Sequence, residues 1–269
     1  MRLVHYWRAL LGIVGREMRR FLQQRGRFFA ALVRPLVWLF IFAAGFRFVL
    51  GISIIDPYET YVPYEVYIAP GLVGMVLLFS GMQSSLSMVY DREMGSMRVL
   101  LTSPLPRGFL LAAKLVAGVL VAVVQAYVFL AIAWFWEVEA PWWGYLAALP
   151  ALVLAGLMLG ALGLLLSSFI RQLENFAGVM NFVIFPMFFA SSALYPLWRV
   201  KDASLPLYWI CQINPFTHAV ELVRFALYGR IDWLGVAVVV GALAVFLGGA
   251  VVGYDPARGL AARRGGGGE

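Results

Sequence analysis

The chain has 269 residues, 62% of them hydrophobic and 13% charged, with a net charge of +7 and a mean hydropathy of +0.85. A soluble domain is about 45–50% apolar and about 25% charged, so no soluble fold has the interior to hide this much apolar surface, and the excess must face lipid. A single cysteine, Cys211, excludes an internal disulfide framework and a cysteine metal cluster; arginines set beside apolar runs assign the basic balance to topology and anionic lipid rather than to nucleic acid.

Residues 1–34 carry eight arginines and no long apolar run, which is unlike a signal peptide. Leu3, Trp7, Leu10, Val14, Met18 and Phe21 recur at steps of three and four, while Arg16, Arg19 and Gln23 project elsewhere. This spacing predicts an amphipathic helix lying along the cytoplasmic interface. Six apolar runs follow, each near or above the roughly 20 residues that cross about 30 Å of hydrocarbon. They are about Pro35–Ile55 (interrupted by Arg47), Val66–Tyr90, a run within Phe109–Trp136, another within Trp142–Phe169, Phe176–Leu197 and Ile231–Tyr254. Lipid offers backbone groups no partner outside a helix or a closed barrel, and these runs are far longer than the roughly 10-residue segments of a barrel. The expected fold is therefore all-α integral membrane. It comprises an interface helix over 1–34, a six-span domain over 35–254 and a flexible glycine-rich tail over 255–269.

Charge sets the expected direction. The eight arginines before residue 35, then Arg92, Arg98, Arg107 and Lys114, then Arg171, and finally Arg258, Arg263 and Arg264 fall on one face, making 16 of 21 basic residues. Arg199, Lys201, Arg224 and Arg230 are assigned to the opposite loops. The positive-inside rule places both termini in the cytoplasm. Arg47 and Lys114, within or near spans, are read as snorkelling to the nearer interface.

Between the second and third runs, residues 90–108 surface with Asp91, Arg92, Glu93, Arg98 and Arg107. Asp91–Leu101 reads as a short interfacial helix ended by Ser103-Pro104-Leu105-Pro106. Such a helix either turns the chain round or acts as a lever on the two spans it joins. Within the spans the polar residues are mostly uncharged. Gln83, Gln125 and Asn181 serve either helix–helix hydrogen bonding or a substrate path, and Pro186 is expected to kink the fifth span near its middle. The outer segment 196–230 is too long for a turn. Asn214 caps a helix begun by Pro215, with Phe216, Val220, Val223 and Leu227 on one face and Gly229 as its stop. His218 and Glu221 stand three apart there and read as solvated polar residues rather than metal ligands. Gly156, Gly160 and Gly163, and Gly241, Gly248, Gly249 and Gly253, mark close helix contacts.

The energy-handling motifs are missing. Neither lysine, Lys114 or Lys201, stands in a Gly-Lys-Ser/Thr context, so the chain has no phosphate-cradling P-loop. No Asp, Glu or His lies inside the proposed spans away from their ends, which is unlike an ion-driven relay. The chain reads as a conduit without its own motor.

The run DREMGSMRVLLTSPLPR, Asp91–Arg107, resembles the cytoplasmic loop of ABC-2 type transport permeases, as do the basic N-terminal helix, the six spans and the Asn214-Pro215-Phe216 segment. The resemblance covers nearly the whole chain and is closest to the small permeases related to nodulation-factor and drug exporters. Arg98 departs from it, since many members carry an acidic residue there. The resemblance implies a permease subunit of an exporter in the bacterial plasma (inner) membrane, paired as a homodimer. It binds no cofactor of its own, because ATP and Mg belong to a separate ATPase partner. It implies that the loop residues Asp91, Arg92, Glu93, Gly95, Arg98 and Pro104 couple to that ATPase. It further implies that the outer segment dips back into the membrane as a gate at Asn214, Pro215 and Phe216. Gln83, Gln125, Asn181 and Pro186 are then the candidate pathway residues. Two rivals carry different signatures. An ion-coupled or passive transporter would work without an ATPase, and a membrane-embedded lipid-modifying enzyme would need an acid/base or metal constellation.

Overall fold

The computed structural model describes residues 3–23, 25–46, 56–58, 61–93, 105–136, 138–170 and 172–254. Ten helices are found among them: α1 Leu3–Gln23, α2 Arg25–Phe46, α3 Tyr64–Glu93, α4 Arg107–Trp134, α5 Trp142–Phe169, α6 Leu173–Phe189, α7 Leu197–Ala203, α8 Leu205–Ile213, α9 Pro215–Leu227 and α10 Trp233–Gly253. Arg47, Gly95, Arg98, Pro104 and the 255–269 tail lie outside the described residues.

Among the described residues, four helical stretches are long and apolar enough to cross a membrane: Tyr64–Tyr90, Gly108–Trp134, Trp142–Phe169 and Trp233–Gly253. The first and fifth expected spans correspond to shorter apolar stretches, Ala31–Ile41 and Leu173–Phe189. The structure corrects the boundaries of both. Helix α2 begins at Arg25, inside the stretch assigned to the interface helix, and Pro35 sits within it rather than at its start. Helix α6 ends at Phe189 instead of running to Leu197, because Ala190 leaves the helical region at ψ 53°. Pro186 consequently falls in the last turn of α6 and not near its middle.

Helix α3 is the centre of the bundle. It packs on α2, α4, α5, α6 and α9, while α5 packs on α3, α4, α9 and α10. Leu72, Val73, Met75, Val76, Leu77 and Leu78 are all buried. Helix α4 lies beside α3, and Tyr6 of α1 meets Phe109 at the start of α4 edge-to-face, 5.0 Å between centroids. Arg34 of α2 lies with its guanidinium 3.9 Å from the Phe79 ring centre, a contact favoured by the ring's negative face. Lys114 does not snorkel as expected. It is buried, with Nζ donating to Met88 Sδ at 2.9 Å.

Small residues set the closest approach. A Cβ on Gly81 would stand 3.0 Å from the Gly160 backbone, and one on Gly163 3.0 Å from the Gly81 carbonyl oxygen. The glycine pattern of the fourth apolar run thus seats α5 on α3 within one chain. On the other side of α5, Gly249 faces Leu165 and Gly253 faces Ser168, whereas Gly241 and Gly248 face open space. Much of α10 is exposed, including Trp233, Leu234, Val245 and Val252, as expected of a lipid-facing helix at the rim of the bundle.

Gly81→Val is expected to lower unfolding free energy by about 1–3 kcal/mol through overpacking, and Gly241→Ala to leave it unchanged within about 0.5 kcal/mol. Thermal unfolding of both variants in detergent checks the contrast.

Candidate functional site

The end of the bundle away from Glu93 contains a non-helical stretch that is buried. After α6 the chain turns through residues 190–196, and Ser191, Ser192, Ala193 and Leu194 are all buried. Irregular backbone is tolerated at such depth only where protein or water satisfies it. Here the donors come from α3 and α9. Tyr64 Oη donates to the Leu194 carbonyl at 2.7 Å and Tyr67 Oη to the Ser192 carbonyl at 3.0 Å. Ser191 Oγ donates to the Phe188 carbonyl at 2.6 Å and accepts from the Ala193 amide at 3.2 Å. Gly71 of α3 makes room for the turn: a Cβ there would come within 2.4 Å of the Ala193 oxygen.

Arg224 of α9 completes the set. It is 1% exposed and donates through Nη2 to the carbonyls of Ser192 (3.0 Å) and Tyr67 (3.3 Å). Its Nη1 pairs with the Glu221 carboxylate one turn earlier, and its guanidinium carbon lies 4.1 Å from the Tyr67 ring centre. One planar cation therefore binds α3, α9 and the 190–196 turn together, which the rigid fork of a guanidinium allows and a lysine ammonium does not. Around it, Tyr58 packs edge-on against Tyr228 at 4.9 Å and tilts against Tyr67 at 6.4 Å. Burial pushes the Tyr58 phenol above its ordinary value, so it stays neutral, and its Oη is buried without a hydrogen-bond partner.

Asn214 holds the other edge of the turn. Its Oδ1 accepts from the Phe216 amide at 3.0 Å, capping α9 as the sequence predicts. Its Nδ2 also donates to the carbonyls of Met187 and Ala190, both at 2.7 Å, so the same side chain caps the end of α6. Phe216 is fully buried, 6.1 Å from Phe188 and packed over Gly74. Thr217 Oγ1 donates to the Cys211 carbonyl at 2.7 Å, and His218 Nε2 lies 2.9 Å from the Gln212 carbonyl. A carbonyl only accepts, so Nε2 carries the proton. These bonds close α8 onto α9. The expectation that His218 and Glu221 are solvated is overturned: His218 is buried against α8 and Glu221 neutralises Arg224.

Arg224 was assigned by charge counting to an outer loop. Helical spacing carried the missing signal, since residue 224 falls on the same face as Val220 and Leu227. A charge on the apolar face of a capped helix has to find partners inside the protein.

The pathway candidates divide. Gln83 of α3 and Gln125 of α4 line one half-open cavity of about 70 Å³, together with Ser80, Ser84 and the α1 residues Glu17 and Arg20. Asn181 and Pro186 sit instead on the exposed face of α6. Asp91, Arg92 and Glu93 are not the start of a separate helix. They are the last residues of α3 itself. The other residues expected to couple, Gly95, Arg98 and Pro104, lie outside the described residues.

With this geometry in view, the comparisons are specific. The family described as "ABC-2 type transporter" matches residues 8–228. The "Probable multidrug ABC transporter permease YbhR" of Escherichia coli (strain K12) is 32% identical over 170 residues, 62% of this chain and 45% of that protein. "Nodulation protein J" of Rhizobium leguminosarum bv. viciae is 22% identical over 226 residues, 80% of each chain. The chain thus spans under half the length of the E. coli permease it matches.

Two substitutions probe the site. Arg224→Gln leaves Glu221 without its cation and is expected to cost about 3–5 kcal/mol, with Arg224→Lys recovering less than half. Asn214→Asp keeps the acceptor for Phe216 but loses both donations to α6. It is expected to destabilise by about 2 kcal/mol or more, close to Asn214→Ala. Unfolding in detergent measures each, and a near-neutral Asn214→Asp would assign the residue to capping α9 alone.

Proposed function

The chain belongs to the ABC-2 type transporter family, and we propose that it is the permease subunit of an exporter driven by a separate ATPase chain. Membership makes it a membrane permease of the ABC-transporter kind. The finer reading is supported above all by the continuity of α3. This helix of 30 residues, about 45 Å at 1.5 Å per residue, carries Asp91, Arg92 and Glu93 at one end and Tyr64 and Tyr67 at the other. A push on the loop end is carried along α3 toward the residues that hold the buried turn, past Pro70, which lies within the helix next to Tyr67. Closing of the ATPase pair on the 90–108 loop is the proposed input, and displacement of the 190–196 turn with α9 is the proposed output. An interface with two discrete packings converts a small shift into opening.

Lys114, one of two lysines, is buried against Met88 rather than presented in a glycine-rich loop, so ATP and Mg are assigned to the partner. A second copy of the chain is proposed to complete the pathway, with the exposed face of α6 bearing Asn181, Phe182 and Pro186 turned toward it. Both termini and the 90–108 loop are placed on the cytoplasmic side of the bacterial plasma (inner) membrane, following the arginine distribution. Asn214, Pro215 and Phe216 then lie at the opposite side as the outer gate.

Affinity purification of the chain from its native membrane is expected to retain a P-loop ATPase, and transport in reconstituted vesicles to require ATP. Glu93→Trp and Gly95→Trp are expected to insert normally and to reduce ATP-coupled transport at least tenfold with ATP hydrolysis retained. Full transport in both variants would remove the loop from the coupling path, and ATP-independent transport by the chain alone would remove the ATPase from the reading.

A further inference from the structure

Donors from α3 and α9 match backbone carbonyls of the 190–196 turn, but hydrogen bonds are shared unevenly among the side chains around it. The Ser192 carbonyl receives two donors, Tyr67 Oη and Arg224 Nη2, each at 3.0 Å. Three side-chain atoms of the same cluster have no partner: Ser192 Oγ, Tyr58 Oη and Arg224 Nε. All three atoms are closed to solvent. Water therefore does not reach them while the turn is packed.

These atoms lie round one residue. The Tyr67 ring centre is 4.1 Å from the Arg224 guanidinium carbon and 6.4 Å from the Tyr58 ring centre, and its hydroxyl bonds Ser192. A phenylalanine at position 58 would fill the same space between Tyr67 and Tyr228 without burying a hydroxyl. In the packed turn the hydroxyls of Tyr58 and Ser192 thus contribute only the cost of leaving water. A polar network satisfied in part is costly for this reason. Solvent is close by: Asp56, two positions before Tyr58, has a 75% exposed side chain and pairs with Arg230 at 2.6 Å.

We propose that the packed 190–196 turn is biased toward a displaced, hydrated arrangement in which Tyr58 Oη, Ser192 Oγ and Arg224 Nε gain the partners they lack. The bonds from Tyr64, Tyr67 and Arg224 Nη2 hold the turn, and the three unpaired atoms oppose them. Weakening the holding bonds is then enough to release the turn, because its displacement brings polar groups to water rather than away from it. As a statement about transport the inference rests on the permease reading, in which the turn moves. The balance between paired and unpaired groups stands apart from that reading.

The test measures backbone amide hydrogen exchange at residues 190–196 in the full chain in nanodiscs, with no ATPase or nucleotide present. It compares one chemical change, loss of a hydroxyl, at paired and unpaired positions. Tyr64→Phe removes the donor to the Leu194 carbonyl and is expected to speed exchange about fivefold or more. Tyr58→Phe and Ser192→Ala remove unpaired hydroxyls and are each expected to slow exchange about fivefold or more, with unfolding at a higher temperature than the parent chain. A hydroxyl with a purely structural role gives the opposite sign. Exchange unchanged or faster in Tyr58→Phe overturns the proposal, since the hydroxyl then has a partner, such as an enclosed water, in the packed turn. The same result in Ser192→Ala overturns it independently. Loss of folding in either variant also overturns it, because an unpaired hydroxyl has no bond to lose. Slower exchange in Tyr64→Phe overturns it by separating opening from the bonds that hold the turn. Because neither ATPase nor cargo takes part, a negative result leaves the transport reading standing, and failure of ATP-coupled transport leaves the sign of these exchange changes standing.

Discussion

A stretch of non-helical backbone buried inside an apolar bundle must have its polar groups matched, and that requirement organises one end of this molecule. Residues 190–196 could not sit where they do without the tyrosines of α3, the amide of Asn214 and the guanidinium of Arg224. Each of these donors lies on a different element or turn, so satisfying the backbone also fixes how α3, α6 and α9 are placed. An unmatched buried peptide group costs about 1–3 kcal/mol in proteins. Several at once would melt the segment or push it out to solvent. The geometry is therefore strongly over-determined, and Gly71 is small because the turn passes directly over it.

Arg224 is the instructive member of that set. As a stability device a fully buried cation is poor, because the desolvation cost of an ion pair commonly cancels its attraction. What Arg224 supplies is a bond to three places at once: a carboxylate on its own helix, a carbonyl in the turn and a carbonyl on α3. A hydrophobic residue of the same volume could fill the space and would tie none of them. The cluster favours one arrangement of α3, α9 and the 190–196 turn over alternatives with similar burial.

Much of this fold is legible in the sequence, and the parts that are not have a common cause. Long apolar runs bounded by Trp142 and Phe169, or by Trp233 and Gly253, translate directly into helices, since lipid permits little else. The Asn214-Pro215 start and the Gly229 stop of α9 are local chemistry and appear as expected, with Gly229 at φ 66°. Errors arise where tertiary partners overrule local pattern. The apolar run through Leu197 reads as one span, but the turn after Phe189 is stabilised by residues far away in sequence, Tyr64 and Arg224. Counting charges puts Arg224 in a loop, while its helical position puts it in the core. Pro35 looks like a boundary, yet the apolar residues before it extend α2 back to Arg25. Gln83 and Gln125 were each recognisable as buried polar residues. Only packing shows that they share a wall with Glu17 and Arg20, while Asn181 lies on another surface altogether.

In the sequence, the charged loop motif and the Asn214-Pro215-Phe216 segment are separated by more than a hundred positions and give no hint of contact. In the structure α3 links them indirectly: the motif's first residues end this helix, and Tyr64 and Tyr67 near its other end bind the 190–196 turn that Asn214 also holds. Around Gly81, helix α3 is held by close glycine contacts with α5, and interiors packed at this density transmit strain. Within the proposed cycle, the loop needs no special conformational relay to reach the gate. Rotation or translation of α3 by a fraction of a helical turn would draw Tyr64 and Tyr67 off the Leu194 and Ser192 carbonyls. The turn they satisfy would then have to follow them or find water. Access of water to that turn is what opening the outer end of a pathway means.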